Sequence, residues 1–115
     1  MQRGEIYSLD FGIPRGSVQG GVRPTLVIQN DVGNRTSSTT IVAAITSKHK
    51  KSYAFHVEIS TDESGLPEDS TILLEQIQTV PQNRLVKKIG DIDKHKMVEV
   101  DRALIVSLGI SLGET

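Results

Sequence analysis

A chain of 115 residues with no cysteine and a formal net charge of −1 is long enough for one hydrophobic core without metal or disulfide support, and it excludes disulfide and thiolate chemistry. Its N-terminal stretch, MQRGEIYSLDF, lacks the apolar run of a signal peptide, and no segment approaches the roughly 18 apolar residues of a membrane span, so a cytoplasmic protein without membrane association is expected. Residues 1–57 hold seven Lys/Arg against three Asp/Glu, and residues 58–115 hold six against eleven. A near-neutral balance can therefore conceal a local positive face, or the two halves can simply offset each other in the fold.

Tyr7, Leu9 and Phe11 alternate, which predicts a first strand with one buried side. Residues 12–21 contain four glycines and Pro14 and read as a long loop of the kind that is often functional in a small domain. TLVIQ (25–29) is a second strand, followed by the turn chemistry of NDVGN. TIVAAIT (40–46) is short, apolar and β-branched, as expected of a strand buried on both faces. Phe55, Val57 and Ile59 alternate with His56, Glu58 and Ser60, a strand with one wet face; ESGLPEDS then reads as a turn region. TILLEQI (71–77) predicts another strand and LVKKIG a short one after Pro81. The period then changes. Met97, Val100, Leu104 and Leu108 fall at helical spacing, with Asp93 as N-cap, Ile92 and Met97 as a hydrophobic staple, and Gly109 at the C-terminal cap. About six strands and a terminal helix predict a mainly β domain spanning 1–115, a small bent β-barrel with the helix packed on it. The broad apolar face of that helix suits a homodimer.

Most enzyme signatures are absent. His49, His56 and His95 have no partner at metal-ligand spacing, and neither a phosphate-binding P-loop nor a nucleophile elbow occurs. No cofactor and no metal site are expected. Arg23 stands out because two glycines and a valine precede it and Pro24 follows. Proline biases Arg23 to the extended region, and the glycines let another molecule come close. A planar, permanently charged fork held this way suits a phosphate, although a pairing with a surface carboxylate uses the same residue. Thr46 and Ser47 end the apolar strand just before KHKK, where their hydroxyls either face a ligand or serve ordinary strand-end bonding. Lys48, Lys50 and Lys51 are a solvated loop or a backbone-attracting patch. Glu75 and Gln76 interrupt TILLEQI and can read base edges or bond to a neighbouring strand. Only four aromatic residues, Tyr7, Phe11, Tyr53 and Phe55, are available for stacking bases.

In combination these segments carry more. RGEIY, GSVQGGVRPTLVIQND, IVAAIT, HVEI and ILLEQIQT, in that order and spacing, resemble the MazF/PemK family of endoribonuclease toxins over nearly the whole chain. The resemblance implies an SH3-like β-barrel toxin that forms a homodimer and is inhibited by a cognate antitoxin. It also implies sequence-specific, metal- and ribosome-independent cleavage of single-stranded RNA. The arginine before proline and the hydroxyl residue ending the AAIT strand are the family's catalytic groups, here Arg23 and Thr46. By the same resemblance Ser17 and Gln19 border the RNA, and Ser47, Glu75 and Gln76 help to hold or read the bases. RNA supplies its own nucleophile, the ribose 2′-hydroxyl, so no serine or cysteine nucleophile is required. Arginine, with a pKa above about 12, is a poor base, so Arg23 is expected mainly to stabilise charge and Thr46 to position the phosphate or the 2′-hydroxyl. No histidine stands where the resemblance needs a base.

Two positions depart from the pattern. Val18 stands where the family often has glutamate, and Gln78 where near relatives have arginine. Neither touches Arg23 or Thr46. Three other readings share the fold: a toxin that binds DNA gyrase and cleaves nothing, a degenerate toxin that retains only antitoxin binding, and a non-catalytic SH3-like binding module, against which the low aromatic count argues. The C-terminal SLGISLGET offers the first of these no distinctive terminal feature, and Val18 is the position that favours the second.

Overall fold

The computed structural model describes residues 1–13, 16, 21–47, 51–85 and 87–113. Its strands are β1 (Glu5–Asp10), β2 (Val22–Val27), β3 (Thr39–Thr46), β4 (His56–Ile59), β5 (Ser70–Pro81) and β6 (Lys88–Asp91). Its helices are α1 (Asp31–Thr36), α2 (Thr61–Ser64) and α3 (Lys94–Leu108). The strands form one antiparallel sheet in the order β4-β5-β3-β2-β1-β6. The sheet curls as a half-barrel around the core, with α3 packed on β4 and β5, which agrees with the expected mainly β domain and terminal helix.

Strand alternation sorts the residues. Ile6 pairs with Leu26 and Leu26 with Ala43, while Ile45 pairs with Ile72 and Ile72 with Val57. These residues face the main core with Leu74, Val100 and Ala103 of α3, and Met97 and Leu104 pack against its margin. The opposite side carries a smaller cluster of Leu9, Val27, Val42, Val80 and Leu85, with Met1, Tyr7 and Phe11 at its edge. TIVAAIT is indeed almost wholly buried. Cap chemistry of α3 is as expected: the Asp93 side chain accepts from the Lys96 amide at 2.9 Å, and Gly109 adopts φ +66°. Leu108 and Val98, expected on the apolar side, are exposed, so the buried stripe is narrower than the pattern suggested.

Three local expectations are corrected. NDVGN is not a turn but the start of α1, where the Asn30 side chain accepts from the Gly33 amide at 2.7 Å and Asp31 accepts from the Arg3 amide at 2.8 Å. The turn region after β4 includes α2, closed by a reciprocal capping box between Ser60 and Glu63. β5 does not stop at Ile77: Gln78–Pro81 continue opposite Thr39–Val42. Between its halves the register with β3 jumps, because Ala44 faces Leu73 whereas Ala43 faces Ile77. Leu74, Glu75 and Gln76 therefore form a bulge that bends the strand.

Candidate active site

Arg23 is the second residue of β2 and lies opposite Leu9 of β1. On its other side β2 runs with β3 through Val27↔Val42, Leu26↔Ala43 and Thr25↔Ala44. Continuing this register by two residues sets Arg23 opposite Thr46, one strand spacing away. Thr46 is paired with Thr71 of β5, and Thr71 with Glu58 of β4. Directly opposed residues share a face of the sheet, so Thr46, Thr71 and Glu58 form one row across three strands, and Arg23, two residues beyond the last β2–β3 pair, lies on the same face. The row lies on the side opposite the main core.

The row is polar but largely enclosed. Thr46 is 4% exposed and Thr71 wholly buried, Arg23 is half-buried, and Glu58 is exposed at the end. The Thr71 hydroxyl donates to Glu58 Oε1 at 2.9 Å, and the Ser52 hydroxyl donates to the other Glu58 oxygen. Two residues along β4 from Glu58, His56 places Nε2 3.1 Å from Glu75 Oε2 and accepts from the Tyr53 amide on Nδ1 at 3.3 Å. A cleft of about 290 Å3 opens beside Arg23 and is bordered by Pro24, Ile45, Ser47, Leu66 and Ile89. A guanidinium on the face that carries these hydroxyls can bind a phosphodiester and stabilise charge developing on its oxygens.

The residues singled out in the sequence fall into three groups. Arg23 and Thr46 lie on the same face of the sheet, and Ser47, which follows Thr46, borders the same cleft as Arg23. Glu75 and Gln76 sit in the β5 bulge, Glu75 exposed and bonded to His56. Ser17 and Gln19, together with Val18, Lys48 and Lys50, lie outside the described residues. Sequence reasoning missed Thr71 and Glu58, whose proximity to Thr46 exists only through strand register. It also expected His56 on a wet face, whereas its side chain is 7% exposed. Among the described residues no group of three His, Asp or Glu side chains is placed to hold a metal ion, and no helix is long and apolar enough to cross a membrane.

Comparison with known proteins adds independent information. Residues 2–108 match the family described as PemK-like, MazF-like toxin of type II toxin–antitoxin system. The chain is 50% identical over 111 residues to endoribonuclease EndoA of Bacillus subtilis strain 168, covering 96% of each protein. Its fold resembles a mycobacterial endoribonuclease solved in complex with its cognate antitoxin, with a TM-score of 0.82 at 20% identity, covering 98% of this chain and 99% of that one. It also resembles MazF from Deinococcus radiodurans, with a TM-score of 0.78 at 23% identity, covering 96% and 97% of the two chains. With the family pattern matched along nearly its whole length and half its residues shared with EndoA, this chain belongs to the PemK-like, MazF-like toxins of type II toxin–antitoxin systems.

Proposed function

We propose that this toxin is a sequence-specific endoribonuclease that cuts single-stranded RNA without a metal ion and without the ribosome. The observation that supports this reading is that Arg23 and Thr46 lie on one face of the sheet, each two residues beyond the Thr25–Ala44 pair of β2 and β3. The likeness to an endoribonuclease of Bacillus subtilis supports it. The ribose 2′-oxygen attacks the adjacent phosphorus, the bond from phosphorus to the 5′-oxygen breaks, and a 2′,3′-cyclic phosphate is left. The 2′-hydroxyl gives up its proton as it attacks, and the departing 5′-oxygen takes one up. Negative charge grows on the non-bridging oxygens, where a preorganised donor lowers the barrier by about 3 to 4 kcal/mol. Arg23 supplies that donor, and Thr46 holds the phosphate or the 2′-hydroxyl in line. Ser17, Gln19, Ser47, Glu75 and Gln76 contact bases or backbone of the splayed strand. The toxin acts in the cytoplasm as a homodimer and is neutralised by a cognate antitoxin protein.

The test is incubation of purified protein with a long unstructured RNA in excess EDTA, beside Arg23→Ala. Discrete cuts by the wild type alone, with their 5′ ends mapping to a common motif, are expected. RNA left intact by a folded wild-type protein, over RNAs of wide sequence coverage, refutes the reading and favours the gyrase-binding or degenerate alternatives.

A further inference from the structure

We infer that Tyr53 and Phe55 form a stacking platform for an unpaired RNA base next to the scissile phosphate, with Glu75 beside it to accept a hydrogen bond from the base edge. This inference rests on the endoribonuclease reading above and adds a contact that it does not contain. The chain has two tyrosines and two phenylalanines in all. Two of these four rings are stacked on each other just before β4, with centroids 5.3 Å apart and planes 8° from parallel. His56 stands edge-on to both, 4.9 Å from Phe55 and 5.5 Å from Tyr53. Phe55 is half-buried, yet Tyr53 is 50% exposed. That exposure leaves aromatic surface within reach of an incoming base.

The placement connects this stack to the reaction site. His56 pairs with Leu73 and Leu73 with Ala44, so its side chain shares the sheet face of Thr46, Thr71 and Glu58. The segment before it folds back over that face, with Ser52 bonded to the Glu58 carboxylate. Two strand spacings, roughly 10 Å, separate β4 from β3, a reach that suits a nucleotide flanking the one being cut. The stack is also preorganised. The His56 amide donates to the Tyr53 carbonyl at 2.9 Å and the Leu74 amide to the Phe55 carbonyl at 3.1 Å, so little freedom remains to be lost when a base arrives. Lys51, exposed on a flexible stem, holds its ammonium 5.4 Å from the Tyr53 centroid and can turn to the RNA backbone. Glu75 is held by His56 at 3.1 Å on the same face, and a carboxylate there accepts from the exocyclic amine of adenine, cytosine or guanine. Ring, acceptor and cation together fit a base of a single strand.

The test is binding of a short fluorescent RNA carrying the mapped cut motif, with 2′-deoxyribose at the scissile nucleotide so that no cleavage occurs. Wild type, Tyr53→Ala and Tyr53→Phe are titrated against the intact RNA and against a series in which each base in turn is replaced by an abasic site. Tyr53→Ala is expected to weaken binding about five- to a hundredfold, Tyr53→Phe to restore it, and the Ala deficit to vanish for one abasic position only. Equal affinity of wild type and a folded Tyr53→Ala for the intact RNA overturns the platform while leaving the nuclease reading intact, and would turn the rings into a surface for a protein. A deficit that persists for every abasic RNA also overturns it, because the lost contact is then not with a base. Failure of the wild type itself to bind this RNA overturns the platform, while the cuts that mapped the motif still stand for the nuclease reading.

Discussion

Thr46→Val separates a catalytic hydroxyl from a structural one. Thr46 is 4% exposed at the end of β3, with Thr71 directly opposite. Valine keeps the branched shape that a strand favours, so no cavity opens and the β-propensity is retained. Stability should fall by about 1–3 kcal/mol, the cost of leaving a buried partner of the hydroxyl unsatisfied. Loss of a hydroxyl that positions the reacting group, in contrast, should lower the single-turnover cleavage rate by about a hundred- to a thousandfold. Thr46→Ser reverses the pattern: it keeps the hydroxyl and removes one buried methyl, which costs about 0.8 kcal/mol, and it should cut within about tenfold of wild type, since a loss of that size is worth only about fourfold in rate. The assay pairs a fluorogenic RNA bearing the mapped motif with thermal unfolding of the same preparations. The reasoning is refuted if Thr46→Val cuts at the wild-type rate, or if the rates of both variants simply follow their melting temperatures.

Two further outcomes concern the scaffold. A Cβ at Gly90 of β6 would sit 2.1 Å from the backbone carbonyl oxygen of Ser64, so Gly90→Ala should destabilise by about 1–3 kcal/mol through forced separation of β6 from the end of α2, read as a lower midpoint in urea. The Asp31 carboxyl is held below its ordinary value, chiefly by the hydrogen bond from the Arg3 amide and then by that from Asn34. A depressed carboxylate contributes stability that is present above the unfolded value of about 4 and is lost as pH falls through the lower folded value. Asp31→Asn should therefore be less stable than wild type at neutral pH, with the gap closing as the solution is acidified below about pH 4; a gap that widens with acid would contradict the assignment.

What could be read from the sequence follows the range of the interactions involved. TIVAAIT and α3 were legible because β-branched runs and a helical period bounded by Asp93 and Gly109 are local signals. α1 was not, because Asn30, Asp31 and Gly33 serve a tight turn as readily as a capped helix; the Arg3 amide donating to Asp31 and the Gln82 side chain donating to the Asn34 carbonyl decide it from across the fold. α2 did carry a signal, Ser60 and Glu63 at capping-box spacing. The continuation of β5 depends on pairing with β3, which no window of the β5 sequence contains. At the site, local sequence left Arg23 and Thr46 open to ordinary uses, and the family pattern singled them out. Their alignment with Thr71 and Glu58, like the stacking of Tyr53 on Phe55, is a matter of register and chain reversal, to which spacing along the chain is blind.

That register is set by the core, and this explains how so small a fold can hold a site in alignment. Ile45 and Thr46 point to opposite faces of β3. Ile45 continues to Ile72 and Val57, and Thr46 continues to Thr71 and Glu58. A slip of one residue on β5 would place Thr71 where Ile72 now sits and turn Ile72 to the polar side. Ile45 and Ile72 are 0% exposed and Val57 4%. Each such side chain contributes about 1.5–3 kcal/mol by its burial, and a buried hydroxyl in place of any of them adds a desolvation penalty of about 1–3 kcal/mol. A slip would therefore forfeit much of the 5–15 kcal/mol by which a typical domain is stable. The row containing Thr46 consequently needs no bonds of its own to stay aligned, because the apolar row one residue away enforces it. The bulge at Leu74–Gln76 extends the same logic. It lets Leu74 remain in the core while β5 bends, so that Glu75 can meet His56 on the face where the reaction is proposed to occur.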